Sequence, residues 1–195
     1  RRSYADILFS PFLKNSGVFN DGSALNFYDI TAKANFDLDP KNTIFVSSYI
    51  GRDVFMFDER QGFNWGNRTG TLRWNHLFND RLFSNFTLIY SNYDYQLAFG
   101  SDDMNKFEWD SKVETYNFKP ELTYFINANN ELSLGAEVIR YRFEPANAVG
   151  VSEGEISDIT LPSKYAFEGS FYIGNEQKFS NLTLSYGARY SLYSY

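Results

Sequence analysis

The chain has 195 residues, no Cys, one His and a formal net charge of −6 from 18 basic and 24 acidic side chains. These values exclude a disulfide framework and a thiolate metal site, and the acidic balance argues against a nucleic-acid partner. Aromatic residues reach 19% in a chain only 43% hydrophobic, and no run of apolar residues is long enough for a transmembrane helix.

In chain order, Arg1-Arg2-Ser3-Tyr4-Ala5-Asp6 leads into no signal-type apolar core. An incomplete strand is expected over 1–9, and the chain is expected to begin inside a structure. After a link over 10–24, residues 25–38 alternate: Tyr28, Ile30, Ala32, Ala34, Phe36 and Leu38 against Asp29, Thr31, Lys33, Asn35 and Asp37. Period two sorts side chains onto the two faces of a strand. Residues 43–55 are strand-like, but Ile44, Val46 and Ile50 on one face compete with Phe45 and Tyr49 on the other, so the apolar face is not assigned. A weaker strand covers 65–78. Residues 82–92 set Phe86, Leu88 and Tyr90 against Asn85, Thr87 and Ser91. Residues 115–126 alternate around Tyr116, Phe118, Leu122, Tyr124 and Ile126, interrupted by Pro120, which predicts a bulge or a local break. In 131–143 the row Leu132, Leu134, Ala136, Val138 runs on into Arg140, expected near an interface that its head can reach. Strands over 165–175 and 182–192 complete the set.

Short polar turns at 39–42, 79–81, 127–130 and 175–181 alternate with longer links at 10–24, 56–64, 96–107 and 144–164. Antiparallel strands then place every short turn at one end and every long link at the other, the asymmetry of an outer-membrane barrel. An apolar band about 25 Å tall, crossed at a tilt near 40°, needs roughly 10 residues per strand. Phe78, Phe83, Tyr124, Phe125 and Phe179 near the short turns, and Trp65, Tyr93, Tyr95, Phe107 and Trp109 near the long links, are read as aromatic girdles. The fold class is therefore all-β: an antiparallel transmembrane β-barrel segment of about eight or nine strands. The last strand runs toward the long-link side, so the chain is expected to be truncated at both ends.

Three stretches carry a resemblance: Arg1-Arg2-Ser3-Tyr4-Ala5-Asp6, Gly51-Arg52-Asp53-Val54-Phe55, and the run 63–97, FNWGNRTGTLRWNHLFNDRLFSNFTLIYSNYDYQL. Together they resemble barrel segments of TonB-dependent receptors of the Bacteroidota outer membrane, over roughly residues 1–143. The resemblance implies a 22-stranded barrel filled by a plug and energised through TonB. Residues 1–195 would be a portion of the barrel domain, without the plug or the TonB-contact segment. The expected function is nutrient uptake across the bacterial outer membrane. The expected partners are outer-membrane lipid and lipopolysaccharide, the rest of the barrel and plug, TonB through that plug, and a surface lipoprotein. A scaffold role in an outer-membrane complex and a small lipocalin-type barrel are the alternatives.

No catalytic residue, cofactor site or metal site is expected, and the protein is not read as an enzyme. His76 follows Trp74 on the row Leu72, Trp74, Phe78 and reads as an interfacial ring. Acidic residues gather in the links: Asp58 and Glu59; Asp102, Asp103, Glu108 and Asp110; Glu153, Glu155 and Asp158. Solvated loop charge is favoured there over calcium or cation capture. The ligand-contact candidates are Phe63, Trp65, Asp102, Asp103, Phe107 and Trp109, with Phe99 beside them. Their rings could stack on a sugar or peptide, although interface anchoring is the preferred reading. Lys33, Arg73, Lys119, Glu121, Glu137, Glu168 and Arg189 are expected to face a wet lumen or a plug. The Asn-x-Thr triplets at Asn67, Asn85 and Asn181 are read as chance.

Overall fold

The computed structural model describes Ser3, residues 23–58 and residues 60–195. The expected strand over 1–9, the link before 23 and Glu59 lie outside the described residues, Ser3 excepted. Nine strands form one antiparallel sheet: β1 (Ala24–Asp39), β2 (Asn42–Met56), β3 (Gly62–Asn79), β4 (Leu82–Asp102), β5 (Asn105–Asn127), β6 (Asn130–Ser152), β7 (Glu155–Thr160), β8 (Lys164–Phe179) and β9 (Leu182–Ser194). Each strand pairs with its sequence neighbour, except that β6 takes β7 along its upper part and β8 along its lower part. The sheet does not close on itself among the described residues.

Short turns form where side chains stand in for backbone partners. The Asp39 carboxylate accepts from the Lys41 amide at 2.7 Å, Asn79 Oδ1 from the Arg81 amide at 2.9 Å, and Asn127 Oδ1 from the Asn129 amide at 2.9 Å. At the other end the links expected over 96–107 and 144–164 are mostly strand. β4 and β5 continue to a two-residue turn at Asp103 and Met104. β6 and β7 meet at Glu153 and Gly154, both with positive φ (52° and 82°), the geometry of a type I′ hairpin turn.

Register settles the faces, because directly paired residues point the same way. One continuous row is Phe36–Ile44–Trp74–Phe86–Pro120, and the next is Ala34–Val46–Leu72–Leu88–Phe118–Val138. Ile44, Val46 and Ile50 thus belong to the apolar face, and Phe45 and Tyr49 to the opposite one, resolving the ambiguity of this strand. The apolar rows are the open side: Leu88 is 50% exposed and Val138 51%, whereas Thr87 on the other face is 4% exposed. This is the polarity of a barrel wall seen from the lipid.

Pairing of β5 with β6 lapses at Lys119 and Pro120 and resumes at Glu121 in the same register. Pro120 therefore produces a local break without a bulge, as expected where a ladder donor is missing. The bulge lies elsewhere. Lys112 pairs with Glu144 and Asp110 with Asn147, so Pro145 and Ala146 together oppose Ser111, and Pro145 occupies the one kind of interior position that tolerates it.

Candidate functional site

On each of the long central strands the alternation keeps its period but reverses its phase part-way up. On β5 the outward row reads Ile126, Tyr124, Leu122, Pro120, Phe118, Tyr116, and then Glu114, Lys112, Asp110, Glu108, Lys106. The inward row reads Glu121, Lys119, Asn117, Thr115, and then Val113, Trp109 and Phe107. On β4 the inward Tyr93, Tyr95, Leu97 and Phe99 face away from the outward Asn92, Asp94 and Gln96. The reversal falls on one cross-strand row, Ile50–Arg68–Asn92–Glu114–Arg142.

Below that row, residues 116–126 at about 3.3 Å per residue and a tilt near 40° span about 25 Å, the height of an outer-membrane apolar band. Above it, residues 105–115 rise a further 28 Å or so on the same geometry. The outward face there is charged. Arg52 pairs with Asp94 and Asn64, Lys112 with Glu114 at 2.9 Å, and Arg142 with Glu114 at 3.2 Å and Glu144 at 2.7 Å. Partial desolvation, with Glu108 and Asp94 nearby, raises the Asp110 carboxyl above the usual range. Charge on this face requires water, so these rows stand clear of the bilayer.

The inward face at the same height is aromatic. Phe55 and Phe63 stack with ring centroids 5.1 Å apart, Phe63 and Trp65 stack at 5.5 Å, and Phe57 meets Phe55 edge-on at 4.8 Å. One row runs Leu25–Phe55–Phe63–Leu97–Trp109, and the next Phe27–Asp53–Trp65–Tyr95–Ser111. Phe107 packs beside Trp109 at 6.4 Å, and Tyr141 stacks on Phe143 at 5.7 Å farther along the wall. Such rings form a surface of flat apolar plates.

The structure thus brings Phe63, Trp65, Phe107 and Trp109 onto one wall, with Leu97 between Phe63 and Trp109. It corrects the preferred reading of these rings as membrane anchors: they, with Tyr93, Tyr95 and Phe99, point away from the lipid face and lie above the band. Near the short turns, Phe83 and Phe125 likewise face inward, edge to face at 5.4 Å, while Phe78, Tyr124 and Phe179 lie on the lipid face. Asp102 and Asp103 stand apart from the rings at the β4–β5 tip. The Asp102 carboxylate accepts from the Met104 amide at 2.9 Å and Asn105 Nδ2 at 3.1 Å. Desolvation is the largest single influence and raises its carboxyl, but these donors and Ser101 together outweigh it and hold the group below the usual range. Asp102 is a turn residue. Asp103 lies 3.7 Å from Arg60 in open solvent. Phe55, Phe57, Tyr95, Tyr141 and Phe143 were missed as wall residues. The reversed alternation of 92–99 (Asn-Tyr-Asp-Tyr-Gln-Leu-Ala-Phe) is a sequence signal for Tyr95 alone, and the others are placed by pairing and ring contacts.

Below the aromatic wall the inward face is a polar network built of the expected residues. Lys119 pairs with Glu121 at 3.2 Å and Arg189 with Glu137 at 3.0 Å. Asn117 donates to Glu137 at 2.9 Å, Tyr141 to Glu168 at 3.4 Å and Tyr172 to Glu121. Lys33 and Arg73 share this face. His76 sits on the lipid face between Trp74 and Phe78, its Nδ1 2.7 Å from Asn42 Oδ1, which also accepts from Trp74 Nε1 at 2.9 Å. Among the described residues no group of three or more His, Asp or Glu side chains could hold a metal ion.

No known family pattern and no curated protein matches the sequence. Solved structures do. The ferric citrate transporter FecA, in its unliganded form, superposes with a TM-score of 0.67 at 12% identity, over 88% of this chain and 30% of that one. The chain shares its fold with part of that outer-membrane barrel. The outer-membrane transporter YddB from Escherichia coli aligns with a TM-score of 0.42 at 15% identity, over 93% of this chain and 37% of that one. The chain spans 30% of the length of FecA, and its nine strands form one open antiparallel sheet among the described residues.

Proposed function

We propose that this wall belongs to a TonB-dependent receptor that imports a nutrient across the bacterial outer membrane, with no enzymatic step of its own. The reversal of face polarity above the membrane band is the observation that carries the reading. A wall that only separated lipid from water would keep a polar inner face throughout, as the lower half does. Stacked aromatic plates on the inner face, roughly 28 Å deep and open to the outside, suit capture of a ligand before it meets the polar lumen below. The proposed ligand surface is Phe55, Phe63, Trp65, Tyr95 and Trp109.

The same reading supplies the missing strands. The edge of β9 away from β8 has no partner among the described residues, and unpaired backbone groups in lipid cost several kcal/mol each. Further strands of the same barrel would satisfy it, with a plug inside and TonB acting on that plug. The sequence resemblance supports the Bacteroidota as the source.

The test is growth and uptake. A strain lacking the gene, supplied with a panel of scarce nutrients, is expected to lose growth on at least one, with recovery by the wild-type gene and not by Trp65→Ala/Trp109→Ala. Unchanged uptake across the panel, with the protein held in a stable complex that dissociates in its absence, would support the scaffold role instead.

A further inference from the structure

We propose that the lipid face carries a site for lipopolysaccharide, with its phosphates on Arg68 and Arg140 and an acyl chain in the trough beneath them. This rests on the outer-membrane reading above. Four observations carry it.

The first is charge. In the two rows that close the apolar band, Ser48–Gly70–Tyr90–Tyr116–Arg140–Phe167 and Ile50–Arg68–Asn92–Glu114–Arg142–Tyr165, three arginines stand against one glutamate. The second is pairing. Glu114 is taken by Arg142 and Lys112, and Arg52 higher up has Asp94. Arg68 and Arg140 are exposed and form no ion pair among the described residues, Arg140 lying over the Tyr165 ring at 5.3 Å. A cation at the edge of a low-dielectric slab, without a protein counter-ion, favours an anionic headgroup there.

The third is shape. Directly below lies a shallow trough of about 690 Å³. Val46, Leu72, Leu88, Phe118 and Val138 line its lower side, and Arg140 its upper rim. It opens at Gly70, where a Cβ would meet no atom within 4 Å. The trough lies within the band that faces hydrocarbon, so its occupant is a lipid chain.

The fourth is spacing. Arg68 on β3 and Arg140 on β6 stand three strand intervals apart across the sheet and one row apart along it, about 16 Å between their backbones. Each arginine stands far enough from the other to hold a phosphate of its own. The site lies on the long-hairpin side of the band, in the outer leaflet. A multiply acylated glycolipid with phosphates at both ends of its sugar base meets the charge, the spacing and the leaflet together, and a one-phosphate phospholipid meets only the first.

The experiment uses the intact protein purified in detergent, incubated separately with deep-rough lipopolysaccharide, phosphatidylglycerol and phosphatidylethanolamine, and read by native mass spectrometry. Lipopolysaccharide should be retained about tenfold or more over phosphatidylethanolamine, two basic contacts at roughly a kilocalorie each giving that order. Arg68→Gln/Arg140→Gln should remove the preference, and Arg68→Lys/Arg140→Lys should keep most of it. Gly70→Leu, which fills the trough with both arginines intact, should also weaken retention. Equal retention of all three lipids, or a preference that survives the glutamine pair in protein shown to be folded, overturns the site. Phosphatidylglycerol held as tightly as lipopolysaccharide overturns the two-phosphate match. A protein that stays soluble without detergent and retains no lipid overturns the membrane reading itself, a separate result.

Discussion

Trp65 shows how much one position can carry. Its ring is stacked on Phe63, in a row with Asp53 and Tyr95, on a face that neither lipid nor the outer charges reach. Truncating a central aromatic anchor commonly costs 2 kcal/mol or more, about 30-fold in affinity. If the proposed import role holds, Trp65→Ala should therefore weaken ligand binding by that order in a titration of the purified protein. Trp74→Ala, on the lipid face nine residues along the same strand, should leave affinity unchanged. A second residue-scale case is Gly135. A Cβ there would run into the Tyr172 ring, whose hydroxyl is tied to Glu121. Gly135→Ala must push that ring aside and loosen the bond. It should destabilise the wall by about 1–3 kcal/mol in urea unfolding from vesicles. Adding Tyr172→Leu should restore part of the loss.

At the scale of the element, β5 is one 23-residue strand that crosses two environments. Its outward residues should respond to charge according to height. Leu122→Lys, near the middle of the band, should cost about 2–4 kcal/mol of folding stability in bilayers. Glu108→Lys, far above the band on the same face, should stay within about 0.5 kcal/mol. Similar costs at both positions would mean that the reversal row is not the membrane boundary. The strands below the boundary were legible because each buries one face in hydrocarbon, which writes a steady alternation into 25–38, 115–126 and 182–192. Residues 92–99 and 106–115 alternate just as well, but with the opposite phase, and a change of phase reads like the end of a strand. The ladder hydrogen bonds that carry β4 and β5 through the change belong to the backbone and leave no mark on side-chain polarity. Rings named one by one therefore gave only part of the inner wall. Trp65 and Trp109 stand out by residue type, whereas Phe55 and Tyr95 acquire meaning only from the partners that register gives them.

At the scale of the whole molecule, the sheet has a short-turn side and a long-hairpin side, and the proposed orientation puts the long hairpins outside the cell. The chain contains no Cys, so single cysteines are clean reporters. Met104→Cys at the β4–β5 tip should react with a membrane-impermeant maleimide on intact cells. Asn129→Cys at the β5–β6 turn should react only after the outer membrane is opened. The reverse pattern would invert the orientation and move the aromatic wall to the periplasm.

The sequence by itself determined the class of this protein, because lipid on one side and water on the other impose a period of two that needs no knowledge of neighbours. It also told the two ends of the wall apart, since short polar turns alternate along the chain with longer stretches that the structure shows to be extended hairpins. Tertiary pairing alone decided which aromatics face lipid and which face inward. The two faces of a strand are equivalent until a neighbour sets the register, and across the boundary row the same polarity pattern means opposite things. The trough and the two arginines above it, without an ion pair among the described residues, were likewise decided there, since Arg68 and Arg140 stand 72 positions apart in the numbering and share a surface only through the ladders of β3 to β6.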